Sequence, residues 1–455
     1  MLPVLRLPRF PAALPAALAG TLFLAAMPAQ AQSLVALYDA ARAYDATYRG
    51  ARAQYDASIA RAAQAKSGIL PQVGLNAGVS RSMLDIDVTS GAPATSASRD
   101  YTTQSVGINA TQPLYRPANW AAYEQGLRQA EIAETVLIAA EQDLILRVSQ
   151  GYFDVLAAQD TLALVRAQKS AVAEQLAFAK RNFEIGTSTI TDSREAEARY
   201  DLVVAQEISA ENDLQVKRIA LDQLVGQTGS VPLPLATPVV LPSPLPTDMN
   251  AWVAQAEAVH PSIRQARLSV DVAGLEVRKA QAGAKPTVDA NVGYNVSRNP
   301  NGTNVTTVGT RASGPSVGVV FNMPLFAGFA IENRILETLS LEQQSLSVLE
   351  ATRRNVTQAT RTAYLGLVSG AAQVRALEAA EASSQSALEA NRLGYQVGVR
   401  INIDVLNSQS QLFQTKRDLA LARYNVLVGN LRLKQANGTL APPDLQPVDA
   451  TLARP

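Results

Sequence analysis

The chain has 455 residues and no cysteine. This excludes disulfides, thiolate metal sites and a lipid-modified N-terminal cysteine together. Its single histidine, His260, directly precedes Pro261. It reads as the residue before a proline-started helix and not as a catalytic base. Lys and Arg number 40 against 39 Asp and Glu, and the basic residues are dispersed, so nucleic acid is not an expected partner. HExxH, GxSxG, phosphate-cradling glycine loops and clustered His/Cys ligands are all missing, so neither an enzyme nor a cofactor is expected. Beyond the N-terminus no run approaches the roughly 18 apolar residues of a membrane helix. If this chain crosses a bilayer, it does so with strands.

What is present begins with an export signal. Arg6 and Arg9 precede a mostly apolar stretch, and Ala29-Gln30-Ala31 forms an A-x-A cleavage site. Residues 1–31 therefore read as a secretory signal peptide. The remainder is one pattern written twice, about 212 residues apart. Tyr152, Gly186, Asp192, Leu221 and Gly226 stand in register with Tyr364, Gly398, Asp404, Leu433 and Gly438. A solenoid unit would recur every 20 to 50 residues, roughly, so this is a duplicated structural half.

Each half opens on a helical segment and passes to an alternating strand pair. In the first, Val73, Leu75, Ala77 and Val79 alternate with polar or small residues, and Val106, Ile108 and Ala110 do the same. In the second, Val288, Ala290, Val292 and Val296 are answered by Val317, Val319 and Phe321. Strands of about ten residues with one apolar and one polar face match a bilayer crossing. Four cannot close a barrel, and lipid tolerates no open edge. Several chains must pool their strands.

After each strand pair, proline is absent from Pro117 to Pro232 and from Pro324 to Pro442. A turn signal interrupts each run at Gly186-Thr187-Ser188 and Gly398-Val399-Arg400. The pattern predicts a helix of almost 70 residues, about 100 Å long, a tight turn and a shorter returning helix. Positions 144, 148, 151, 155, 158, 162, 165, 169, 172, 176, 179 and 183 keep a 4-3 spacing, apolar except at Gly151 and Lys169. A second seam through Phe153, Ala157, Leu164, Ala167, Ala171 and Phe178 is broken by Asp160 and Glu174. The two lie on opposite flanks of the helix. Such a helix is a stave in a tube wall.

The expected layout is a first repeat at 32–230, with strands about 71–112 and a hairpin about 118–225. A proline-rich linker follows at 231–250. The second repeat spans 251–441, with strands about 286–323 and a hairpin about 328–437, and 442–455 is a tail. The polar residues that stand out lie at the two helical turns. Asp192 with Glu195 fits a capping box, and Asp404 suits the positive end of a helix dipole. Both turns belong to one end of the tube, where their charges crowd together.

Leu70-Pro71-Gln72-Val73-Gly74-Leu75, Arg181-Asn182-Phe183-Glu184-Ile185-Gly186 and Ile190-Thr191-Asp192 recur here in an ordered set. Gly394-Tyr395-Gln396-Val397-Gly398, Ile403-Asp404-Val405-Leu406 and Ala422-Arg423-Tyr424-Asn425 complete it. With these tokens the mature chain resembles the TolC family of bacterial outer-membrane channels. The resemblance implies a mixed fold, all-α plus membrane β-barrel. It implies a homotrimer whose 12-stranded barrel takes four strands per chain and continues as a periplasmic helical tunnel. It implies a passive exit duct in the outer membrane, serving tripartite efflux or type I secretion. Its partners would be a periplasmic adaptor, an inner-membrane transporter of ABC or RND type, and outer-membrane lipid. By motif position, Tyr395 and Arg400 match latch residues on the inner coil, and Thr191 and Asp192 their partners on the outer coil. Asp404 matches an acidic ring at the periplasmic entrance. Asn407 stands where a second ring carries aspartate, which leaves three carboxylates per trimer instead of six. The alternative is a periplasmic adaptor, which carries one hairpin inserted into β domains where this chain has two hairpins and two strand pairs.

Overall fold

The computed structural model describes residues 32–87, 96–236, 238–239, 241–242 and 244–453. The expected signal peptide, 1–31, and the last two residues of the tail lie outside them. Two short helices, α1 (Leu34–Tyr44) and α2 (Ala46–Lys66), lead into strands β1 (Gln72–Asp87) and β2 (Ser96–Tyr115). The chain then runs down α3 (Pro117–Glu184) and returns along α4 (Ile190–Val225). The second copy repeats the order: α5 (Met249–Val259), α6 (Pro261–Ala282), β3 (Thr287–Asn299), β4 (Thr310–Asn322), α7 (Ala330–Gln396) and α8 (Asn402–Ala436). A short α9 (Leu445–Asp449) closes the chain. The long helices hold 68 and 67 residues and the returning ones 36 and 35.

The four strands form one antiparallel sheet in the order β1-β2-β3-β4. Its register aligns the apolar residues of all four strands in rows. Val73, Ala110, Val292 and Val317 make one row, Leu75, Ile108, Tyr294 and Pro315 the next, and Ala77, Val106, Val296 and Ser313 another. On the side of the helices the rows continue through Ala290 with Val319 and Val288 with Phe321. The opposite face carries Gln72, Thr111, Asn291 and Gly318, then Gly74, Asn109, Gly293 and Ser316. From Val288 to Val296 the apolar band runs about 27 Å along the strand, and strand tilt brings its height close to the apolar girdle of an outer-membrane barrel. β1 and β2 are longer than the alternation suggests, at 16 and 20 residues. Their added part lies beyond the band, where Arg81 pairs with Asp100.

The staves pack in a fixed sequence. α2 and α4 lie against one flank of α3, α6 and α8 against the other, and α7 packs beyond α6 and α8. Gly126 of α3 meets Ala62 and Ala65 of α2, and farther down Gly151 meets Leu221 of α4. Thus α2 covers the sheet-proximal part of α3, and α4 the part farther from the sheet. The first seam of α3 is buried at Leu144, Val148, Val155, Leu162, Val165, Val172 and Ala179. The second reaches the other hairpin: Phe153 stacks at 5.7 Å on Tyr424, and Phe178 meets Tyr395 edge-on at 5.8 Å. Asp160, which breaks that seam in sequence, accepts a 2.6 Å hydrogen bond from the Tyr424 hydroxyl. Burial raises its carboxyl pKa and the tyrosine bond opposes the rise. Asp160 is therefore a polar lock within the seam.

The main core lies where the two hairpins meet α1, the linker and α9. Leu34, Tyr38, Tyr152, Phe153, Leu156, Leu427, Leu431 and Leu445 share it. The linker is tied in by Tyr152, whose hydroxyl donates to the Leu233 carbonyl at 3.0 Å. Short bridges join Gln32 to Pro232 and Leu235 to Leu452.

His260 is the N-cap of α6: its Nδ1 accepts from the Ser262 N–H at 3.1 Å, and Pro261 takes the first helical position. Burial lowers its pKa below the usual imidazole value. The folded chain therefore favours neutral His260, so its stabilisation is full above the unfolded value and is lost as pH falls through the lower folded value. Calorimetric unfolding should weaken as pH falls below about 6.5, the ordinary imidazole value. His260→Asn keeps a cap and should flatten that component; an unchanged pH profile in the variant would assign the effect elsewhere.

Candidate functional site

Two surfaces bear on function, the sheet faces just described and the far ends of the hairpins. Each hairpin turns through a left-handed glycine, Gly186 at φ 75° and Gly398 at φ 79°. At the first turn the Thr187 N–H reaches the Asn182 carbonyl at 2.8 Å, and the Gly186 N–H reaches Phe183 at 3.0 Å. The second repeats this with Val399 to Gly394 at 2.9 Å and Gly398 to Tyr395 at 3.2 Å. These are Schellman closures, and they explain why glycine recurs at the same offset in both halves.

The residues expected from sequence are distributed unequally. Asp192 belongs to a capping box whose N-cap is Thr189: its Oδ2 accepts from the Thr189 N–H at 3.1 Å, and its own N–H donates to Thr189 Oγ1 at 3.3 Å. The box thus begins three residues earlier than the pairing of Asp192 with Glu195. Thr191 is exposed. Tyr395 packs on Phe178, and its hydroxyl is buried without a hydrogen bond of good geometry. Burial raises its pKa; the Asn182 side chain acts against the rise and the Asp192 charge adds to it. Among the described residues no hydrogen bond joins Tyr395 to Asp192. Arg400 instead turns along its own coil, with Nη1 3.7 Å from Asp404 Oδ2. Its stem lies over Gly394, where an added Cβ would come within 2.6 Å of Arg400 Cγ.

One fastening between the second hairpin and the first comes from a residue that does not stand out in the sequence. Asn402 is 0% exposed. Its Nδ2 donates to the Asp192 carbonyl at 3.0 Å, and its Oδ1 accepts from Gln175 Nε2 at 2.6 Å. One amide thus ties the start of α8 to both α3 and α4. Asn407, expected as a ring position, accepts a 2.9 Å hydrogen bond from Arg199 of α4. Leu406 fills the same junction beside Val172, Ala179, Ala196 and Val203. Around the turns Ile185, Leu393, Val397, Val399 and Ile401 are exposed.

A sheet with one continuous apolar face, carried on staves of about 100 Å, defines a transmembrane duct assembled from several chains. The sequence profile of outer membrane efflux proteins matches residues 29–227 and 252–439. The chain is 33% identical over 422 residues to the outer membrane protein TolC of Vibrio cholerae, covering 93% of this chain and 94% of that one. It is 30% identical to the alkaline protease secretion protein AprF of Pseudomonas aeruginosa, covering 91% and 86%. The crystal structure of the outer membrane protein VceC from Vibrio cholerae superposes with a TM-score of 0.76 at 20% identity, over 89% of this chain and 96% of that one. The chain belongs to the outer membrane efflux protein family. Its fold is the homotrimeric one, a 12-stranded outer-membrane barrel continued by a periplasmic helical tunnel. It is an outer-membrane exit duct, and the adaptor alternative falls.

Proposed function

We propose that this duct receives its cargo from an inner-membrane transporter of ABC or RND type through a periplasmic adaptor, which docks on the hairpin ends. The observation that carries the reading is the cluster of exposed apolar side chains there, Ile185, Leu393, Val397, Val399 and Ile401. Apolar residues held on rigid helix ends suit a partner surface better than water. Tyr395, Arg400, Thr191 and Asp192 form the gate in this reading, and Asp404 with Asn407 lines the entrance. Relatives named for protease secretion and for efflux support either a protein or a small-molecule cargo.

Assembly is the first requirement. β1 and β4 leave open edges in a single chain. The outer staves expose Leu202, Ile208 and Ile219 on α4, and Leu336 and Leu365 on α7. Neighbouring chains cover both sets. Light scattering of the detergent-solubilised protein should give three chains per particle, and a stable folded monomer would refute the assembly. A deletion strain should become sensitive to toxic compounds or lose a secreted protein. Val399→Asp should reproduce that loss while the trimer still assembles, and full activity in this variant would contradict docking at the ends.

A further inference from the structure

The β3–β4 hairpin carries two cations, Arg298 and Arg311, and one anion, Asp289. The anion sits at the helix end of the sheet, where Arg116 holds it with Nε–Oδ1 at 2.8 Å. Both cations sit at the other end, directly opposite each other across the ladder. Gln104 and Val79 continue their row on β2 and β1. Arg298 lies six residues from Val292, and Arg311 six from Val317. The even spacing puts both guanidinium groups on the apolar, lipid-side face. Their row is the next one beyond Ala77, Val106, Val296 and Ser313. It therefore marks the outer limit of the apolar band.

Like charges placed directly opposite on a sheet are destabilising, and nothing in the hairpin relieves this pair. Both arginines are exposed, and neither has an ion pair or a side-chain hydrogen bond among the described residues. The loop at 300–309 contains no acidic residue. Arg81, on the neighbouring hairpin, does have its carboxylate in Asp100. An external anion at the level of the lipid headgroups would turn the repulsion into a shared attraction.

We propose that Arg298 and Arg311 form, on each protomer, a binding site for a phosphate-bearing lipid headgroup of the outer leaflet. The proposal rests on the apolar face being the lipid-facing one. Guanidinium forks bind phosphate oxygens in pairs, and two forks on adjacent strands can clamp one phosphate from both sides. The site is an exposed sheet surface open to water, which holds a free phosphate poorly. A lipid gains a second contact, because its chains cover Tyr294, Val296 and Val317 below the arginines. The occupant is thereby a lipid phosphate and not a soluble one. The site would fix the height of the barrel in the outer leaflet, because the headgroup is held at one level.

The test uses the assembled protein in detergent and counts bound lipid by native mass spectrometry. The probe is lipid A with two phosphates, compared with the same lipid after removal of both and with inorganic phosphate. At least one phosphorylated lipid should remain per protomer, and Arg298→Gln with Arg311→Gln should weaken retention by about tenfold or more. Equal retention of the dephosphorylated lipid, or by the double variant, would overturn the proposal. Displacement of the lipid by millimolar inorganic phosphate would also overturn it, by showing a soluble anion site. Failure here is separable from failure of the barrel reading. The double variant should still insert as a trimer, whereas a wrong orientation would appear in substitutions at the middle of the band.

Discussion

Replacing Asn402 by leucine is expected to open the periplasmic end of the duct. The amide is fully buried and joins three helices, donating to the Asp192 carbonyl and accepting from Gln175. Leucine fills similar space but leaves that carbonyl and that amide unsatisfied, at a cost of about 1–3 kcal/mol per protomer. If the three protomers move together, the closed arrangement loses about 3–9 kcal/mol, enough to invert a balanced equilibrium. Tyr395→Phe with Arg400→Ser should add a smaller increment. The tyrosine hydroxyl has no well-formed hydrogen bond, and Arg400 makes an exposed contact within its own coil. The triple variant should therefore show several-fold higher conductance than the parent in planar bilayers, and its cells should admit large antibiotics. Trimer yield should stay at the parental level, which separates opening from misfolding. Parental conductance in the triple variant would mean that the gate lies elsewhere.

The architecture was legible because it is written in periods. Alternation over two residues marks the strands, a 4-3 spacing marks the stave of α3, and the absence of proline marks the length of both hairpins. Sequence could not show how the two strand pairs align or at what height, since the β2–β3 register depends on pairing between distant segments, such as Thr111 with Asn291, 180 positions apart. The proposed gate was only partly legible for a related reason. Tyr395 and Asp192 stand out as polar residues near matching turns, and the structure packs Tyr395 on Phe178 and holds Asp192 in a capping box with Thr189. Asn402 does not stand out: 212 residues earlier the repeat has Ile190, so comparing the halves hides it. An asparagine in the first turn of a helix also reads as an ordinary helix start. Asp160 failed in the opposite direction. It interrupts an apolar seam in sequence, yet its partner, Tyr424, approaches from a helix 264 positions away.

The register makes the second large effect specific. Val292 occupies the middle of five apolar rows, with Val288 and Ala290 on the helix side and Tyr294 and Val296 on the outer side. Its neighbours across the ladder are Ala110 and Val317, and it is 52% exposed in the single chain. At that depth Val292→Arg puts a guanidinium at the bilayer midplane, at a cost of about 2–4 kcal/mol. Snorkelling is least effective there, because both interfaces are equally distant. The adjacent Asn291 points to the other face, in the row of Gln72, Thr111 and Gly318, where Thr111 Oγ1 donates to it at 2.9 Å. Asn291→Arg forfeits that hydrogen bond, about 1 kcal/mol, but its charge stays in the watery lumen. Urea titration of folded trimers in lipid should separate the two variants by at least 1 kcal/mol, roughly, with Val292→Arg the weaker. In cells Val292→Arg should lower outer-membrane yield, while Asn291→Arg should assemble and alter ion selectivity toward anions. Equal stability of the two would mean that the apolar face does not meet lipid, and the barrel would have to be turned inside out.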